Sequence, residues 1–341
     1  MIKNTTGIIA QDEEIVIGVD VSDKKHHLAA SDLRGNILKI IVLTNPTNRQ
    51  WTALLENRFP GCRLTVVYEA GPQGYTLYDL VRSVKHEAVV IAPQKGAGPV
   101  KTNTRDCQAI VRDYLSNRAR KVTVPSAQKR AMRQVLRTRD ALRKEITQTM
   151  NRINGTLRFH ALTGTMTPVH PDESGLIAGC VEKLRQVETH LKALLAECDK
   201  ELRQIARTES YRREAQLLLD IPGVGIVTAV QILLNVPGME NFPHPDNLAS
   251  FLGLTPREWS TGDTRRLGRI TRRGPGAVRG ALVQCAWVCI RCDEQERLFF
   301  EQLKARRGKK RAIVAVARRL AVRIWRTLTC AAAPEGARIP A

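Results

Sequence analysis

The chain has 341 residues, 43% of them apolar but only 4% aromatic, enough for about two domains with aliphatic cores. Its 54 Lys and Arg residues against 33 Asp and Glu give a net charge of +21, which excludes an acidic solvating protein and makes polyanions the expected partner, nucleic acid first and anionic membrane second. No run reaches the roughly 18 to 20 apolar residues of a membrane span, the N-terminus has no apolar stretch followed by a cleavage site, and the 8 Cys are scattered, so the expectation is a reduced, cytoplasmic protein with no membrane attachment.

Taken in chain order, Ile15–Val21 (IVIGVDV) is a β-branched run that predicts a strand. Residues 26–32 and 37–45 predict two more, joined by the turn signal Arg34-Gly35-Asn36 as a hairpin. Helix over 47–58, strand over 64–70, helix over 73–85, strand over 87–93, a Gly- and Lys-rich loop over 94–105 and helix over 106–117 follow. Strands first and then alternation with helices predict a mixed α/β sheet covered by helices. From Ser126 the pattern changes. Met132, Val135, Leu136, Leu142, Ile146, Met150, Ile153 and Leu157 recur at spacings of three and four, predicting one long amphipathic helix over 126–158. A loop over 159–174 and a second long helix over 175–208 complete a helical hairpin or coiled coil, read equally as a surface helix pair or an oligomerisation arm. From about 212 the chain predicts helix, a Gly- and Arg-rich segment over 253–280, and helix again to about 329. The boundaries are 1–125, 126–211, 212–330 and a tail over 331–341.

Three constellations carry chemistry. Asp20 lies inside the first strand among Val and Ile, where a carboxylate is costly to bury unless it is paired or binds metal. Glu69 ends the fourth strand and Asp106 opens a helix. Carboxylates at the ends of elements of one sheet can converge on Mg²⁺, which prefers oxygen ligands, or on two ions that clamp a phosphodiester. Taken singly, Asp106 reads as a helix N-cap and Glu69 as a turn residue. The second constellation is Ile221-Pro222-Gly223-Val224-Gly225 before an apolar helix, a helix-hairpin-helix pattern. Its glycines would let backbone N–H groups reach phosphate, or would simply close a tight turn. The third is the segment 253–280, with Arg257, Arg265, Arg266, Arg269, Arg272, Arg273 and Arg279 around Ser260-Thr261-Gly262. Arginine forks suit phosphates, and a hydroxyl there either binds phosphate or attacks phosphorus. Cys285, Cys289 and Cys292 fall on a helix face without the partners of a zinc site. His26-His27 has no partner motif, and Arg306–Arg311 is a basic run, a solvated face or a set of backbone contacts.

The order of these features resembles the DEDD-type transposases of bacterial insertion sequences, the bridge-RNA-guided serine recombinases, over about residues 14–329. Asp20 in a strand, Glu69 after a strand, Lys101-Thr102 with Asp106 and the IPGVG motif carry the resemblance, together with GLTPREWSTGDTRRLGRITRRG. It implies an RNase H-like (RuvC-like) mixed-sheet domain, a helical coiled-coil arm and a mostly helical C-terminal domain with a helix-hairpin-helix motif: α/β plus all-α. It also implies Mg²⁺ (or Mn²⁺), DNA as substrate (element ends and target), a structured non-coding guide RNA, a homo-oligomer (dimer or tetramer), and a bacterial, nucleoid-associated location.

Carried over by residue, Asp20, Glu69 and Asp106 match acids of the family motif. Asn103 stands where the family carries the third acid, bringing an amide oxygen but no charge. Ser260 matches the nucleophile when counted back from Gly268, whereas counting from Gly262 points to Thr261. Lys101, Gly223, Gly225 and the arginines fall to nucleic-acid binding. The expected reaction is Mg²⁺-dependent cleavage and rejoining through a covalent serine–DNA intermediate. The rivals are a hydrolytic RuvC-like junction endonuclease and a catalytically inactive nucleic-acid-binding relative.

Overall fold

A computed structural model describes residues 13–93, 103–160, 174–261 and 264–332; side chains at Asn103, Ser174, Ser260, Thr261, Thr264, Arg265, Leu267, Ala331 and Ala332 lie outside the description. The chain divides into two compact units, Met1–Pro125 and Ser126–Ala341.

The first unit is a five-stranded mixed sheet. Strands β1 (Glu14–Val21), β2 (Lys25–Ser31) and β3 (Ile37–Thr44) form an antiparallel meander, and β4 (Arg63–Glu69) and β5 (Glu87–Ile91) add in parallel on the other side of β1, giving the order β3-β2-β1-β4-β5. This mixed order is consistent with an RNase H-like domain. Helices α1 (Asn48–Arg58) and α2 (Thr76–Ser83) cover one face and α3 (Asn103–Leu115) the other. Alternation along β1 explains the layering. Ile15, Ile17 and Val19 face α1 and α2 beside Trp51, Leu55, Val66 and Val81. Val16 faces α3 beside Val67, Val89, Cys107 and Val111. Each fully buried aliphatic side chain contributes about 1.5–3 kcal/mol over its exposed state. Helix α1 starts at a capping box, Thr47 accepting from the Gln50 backbone N–H and the Gln50 side chain accepting from the Thr47 N–H.

The second unit is helical except for one ribbon. Helices α4 (Ala127–Phe159) and α5 (Ser174–Arg207) lie side by side and antiparallel: Leu136 shares a cluster with Leu202, and Arg139 bonds Asp199. Ser126 caps α4 by accepting from the Lys129 N–H. The base of this arm packs on α6 (Arg212–Leu219) and α7 (Ile226–Asn235) through Ala215, Val230 and Leu234, and Arg133 Nε donates to the Leu234 carbonyl at 2.7 Å. A 3₁₀ turn at Met239–Asn241, α8 (Pro245–Phe251), α9 (Gly276–Cys292), α10 (Glu294–Arg307) and α11 (Lys309–Ala332) close a second core. The small side chains Ala312, Ala317 and Ala321 let the buried face of α11 pack closely. Asp293 caps α10, accepting from the Gln295 and Glu296 N–H groups, and the buried Glu296 carboxylate accepts from Arg319 Nε at 3.0 Å on both oxygens. Among the described residues no helix is long and apolar enough to cross a membrane.

Two expectations need correction. The segment read as a Gly- and Arg-rich stretch is an antiparallel ribbon, β6 (Pro256–Thr261) and β7 (Thr264–Ile270), followed by the start of α9. Helix α3 begins at Asn103, so Asp106 sits in its first turn rather than at its cap.

Candidate active site

The sheet brings two of the expected acids together. On β1, Val16, Gly18 and Asp20 share the face toward α3; on β4, Val67 and Glu69 share it. The parallel register pairs Gly18 with Val67 and Val19 with Tyr68. Asp20 and Glu69 are the next residues beyond this last pair, on strands that run about 4.8 Å apart where they pair. Both stand at the carboxyl ends of parallel strands, where open α/β sheets place their sites.

Helix α3 supplies the third. It crosses β1 at Gly18, where an added Cβ would meet the Cys107 carbonyl oxygen and lie 2.7 Å from Val111 Cγ2. This close seat is why the strand carries glycine two residues before Asp20. It also fixes Asp106, one residue before Cys107, on the same side of the sheet. The Cys107 thiol senses its surroundings. Burial first, then the Asp20 carboxylate, push it up to about 11, with Asp106 adding a smaller push against backbone hydrogen bonds that pull it down. The loops behind the acids are tied, since Gln73 Nε2 donates to Asp23 Oδ1 at 3.1 Å and Tyr68 Oη to the Gly74 carbonyl at 3.3 Å.

His27, set aside in the sequence for want of a partner motif, is a neighbour of Asp20. It pairs with Asp20 across β1 and β2, on the same face, and its Nδ1 is buried with no hydrogen-bond partner among the described residues. The signal was positional: an antiparallel hairpin places a residue directly opposite the half-buried acid. His26 takes the opposite face, its Nδ1 accepting from Trp51 Nε1 at 3.1 Å. Asn103 opens α3, with its side chain outside the described residues, as is Lys101 altogether. The donor set of Asp20, Glu69 and Asp106 is hard carboxylate oxygen, which fits Mg²⁺ or Mn²⁺. Among the described residues no three His, Cys, Asp or Glu side chains close to metal-holding geometry.

The second unit holds the other candidates. Gly223 has φ +87°, and a Cβ there would lie 2.6 Å from the Cys285 carbonyl oxygen. Packing of the turn on α9 therefore already requires glycine at this position. Gly225 is exposed at the N-cap of α7, with open space where a Cβ would be and no side-chain cap on the helix. Ser260 and Thr261 end β6, paired with Arg265 and Thr264. Arg257, Arg266, Arg269, Arg272 and Arg273 are exposed. Arg279 is committed elsewhere: its Nη1 donates to the Leu252 and Arg273 carbonyls, both at 3.0 Å, and so ties off the base of the ribbon.

Two family models match this chain. Residues 17–161, which hold Asp20, Glu69 and Asp106, match the DEDD transposase domain of the IS110 type, and residues 215–301, which hold Ser260, match the transposase IS116/IS110/IS902 family. The chain belongs to the DEDD insertion-sequence transposase family. It is 28% identical over 334 residues to the transposase for insertion sequence element IS1111A of Coxiella burnetii, covering 92% of this chain and 89% of the relative. It is 26% identical over 298 residues to the transposase for IS1328 of Yersinia enterocolitica, covering 80% and 83%. It is also similar to y4qE of Sinorhizobium fredii, at 28% over 360 residues, 93% and 89% of the two chains. In this transposase chain the two family matches fall on different groups: the acids in the first unit, the hydroxyl and arginines in the second.

Proposed function

We propose that this chain cuts and rejoins DNA at the ends of an insertion sequence and at its target, using a divalent metal and Ser260. Support for the reading comes from Asp20 and Glu69 standing at the ends of the neighbouring parallel strands β1 and β4, with α3, which carries Asp106, packed on the same face of the sheet. A single half-buried acid is commonly a structural residue; acids contributed by several elements at one end of a sheet suit phosphoryl transfer.

Asp20, Glu69 and Asp106, with the Asn103 amide, would hold Mg²⁺ or Mn²⁺, which when bound neutralises charge on the scissile phosphate. Ser260 Oγ attacks phosphorus and loses its proton to solvent. The bond from phosphorus to the 3′ oxygen breaks, and that oxygen leaves as a 3′-hydroxyl once protonated. Attack by an incoming 3′-hydroxyl reverses the step, so the phosphodiester is restored without a nucleotide cofactor. Arg257, Arg265, Arg266, Arg269, Arg272 and Arg273 hold flanking phosphates, and Gly225 offers the free N–H groups of α7 to another in a helix-hairpin-helix contact. The domains acting in this scheme are 1–125, the arm 126–211 and 212–330. The homo-oligomer is supported by apolar side chains left in solvent toward the far end of the arm, with Phe159 84% and Leu176 79% exposed. The guide RNA rests on the family resemblance, and the net charge of +21 suits it.

Covalent trapping tests the reading. The protein is incubated with Mg²⁺, DNA of its own element ends and the element's non-coding RNA, then resolved under denaturing conditions. A protein–DNA adduct lost in Ser260→Ala and Asp20→Ala but kept in Thr261→Ala is expected. Nicked DNA without an adduct, unchanged in Ser260→Ala, would replace the recombinase with the hydrolytic nuclease.

A further inference from the structure

The ribbon β6–β7 carries an aromatic side chain that the reaction above does not use. Trp259 is 60% exposed, whereas Trp51, another of the chain's four tryptophans, is buried. Trp259 stands directly opposite Arg266 and diagonally across from Gly268. Its six-membered ring lies on Gly268: a Cβ added there would meet Cζ3 and lie 3.0 Å from Cη2. The indole is thus seated on bare backbone, with much of its surface left to solvent. Exposed Arg257, two residues before it on β6, and exposed Arg266, opposite it on β7, share its face of the ribbon.

We propose that Trp259 is a stacking platform for an unpaired DNA base, on the face of the ribbon that also carries Arg257 and Arg266. A flat, preordered aromatic surface with guanidinium groups around it is what single-stranded nucleic acid recognises: the base stacks and its phosphates pair with arginine. The glycine opposite matters because any Cβ would lift the ring off the ribbon. A tryptophan across a cross-strand glycine can also serve only to pin register. That role explains the contact with Gly268 but not an indole left mostly in water beside arginines, where burial would have stabilised the ribbon more. The inference deepens the DNA-cutting reading and rests on it.

The experiment measures equilibrium binding of the full chain to a fluorescein-labelled DNA duplex with a short unpaired bubble, to the same duplex fully paired, and to an RNA of the bubble sequence. It is run at several salt concentrations for wild type, Trp259→Ala, Trp259→Tyr and Arg266→Ala. Trp259→Ala is expected to weaken bubble binding roughly 5- to 150-fold and to leave paired duplex nearly unchanged. Trp259→Tyr restores most of the loss, and the salt slope stays at its wild-type value. Arg266→Ala lowers that slope by about one unit. Equal bubble binding by Trp259→Ala and wild type overturns the platform while leaving the DNA reading intact. So does a loss shared by Ala and Tyr and accompanied by a lower melting temperature, which marks a pin. A loss confined to RNA overturns it as well. Absence of salt-dependent DNA binding by wild type removes both proposals.

Discussion

Gly18→Ala is the substitution that most directly tests how the acids converge. The new methyl group would sit 2.7 Å from Val111 Cγ2 and against the Cys107 carbonyl oxygen. Carbon pairs rest at about 3.5–4.0 Å, so α3 must retreat by about 1 Å. Overpacking of this kind costs about 1–3 kcal/mol. At about 3–5 °C per kcal/mol for a unit of this size, the melting temperature of the first unit falls by about 3–15 °C. The same retreat moves Asp106 away from Asp20 and Glu69, and a 1 Å misplacement lowers metal-dependent cleavage by about 100-fold. Circular dichroism follows the melting, and peptide-resolved thiol labelling of the buried Cys107 follows the opening of α3. Val111→Ala in the same chain removes one of the two colliding groups and restores part of both. If Gly18→Ala melts, labels and cleaves like wild type, α3 does not seat on β1 in this way, and the argument for a three-acid site fails with it.

Gly223→Ala forces a positive φ on alanine and a clash with α9, costing the second unit about 2–4 kcal/mol in chemical denaturation, whereas Gly225→Ala, in open space, changes stability by less than about 0.5 kcal/mol and lowers DNA affinity if α7 binds phosphate. Cys107 and Cys289 both ionise at about 11 in the folded chain against an ordinary 9.0; for Cys289 burial acts first, then the charges of Asp293 and Glu296, opposed by Arg323. The unfolded chain gives up these protons first, so stability falls as pH rises from about 9 to about 11. Cys107→Ala should flatten that slope for the first unit and Cys289→Ala for the second, as followed by denaturation across the window. Arg279→Met strips the donor from two carbonyls at the base of the ribbon, costs about 1–3 kcal/mol, and should speed proteolysis within β6 and β7.

The first unit was largely legible because its strands are β-branched runs bounded by turn residues. Asp20 was conspicuous because nothing apolar explains a carboxylate in IVIGVDV. The long arm was legible from apolar spacing alone. Where the sequence misled, another signal outweighed the strand signal. In 253–280 the density of arginine and glycine obscured the alternation of two short strands, although Gly262-Asp263 between them is a two-residue hairpin signal. Gly223 and Gly225 look alike in sequence, and only the approach of α9 separates a glycine needed for packing from one facing open space. His27 could not be weighed until the register placed it against Asp20, because pairing between strands is a property of the hairpin and not of either residue. Arg279 shows the converse: one of seven arginines in a basic segment turned out to be a clamp on the backbone.

The arm has a consequence in length. Its helices have 33 and 34 residues, which at 1.5 Å per residue makes each about 50 Å long, and its base is fastened by Arg133 to the end of α7. Two copies joined at their far ends would therefore hold the helical bodies at the arms' bases at a set spacing, as the arms of a caliper do. Removing seven residues from each helix keeps the buried faces in phase and shortens each arm by about 10 Å, so the span of two joined arms falls by about 20 Å, close to six base pairs of duplex. The spacing between paired cuts in the DNA should shorten with it.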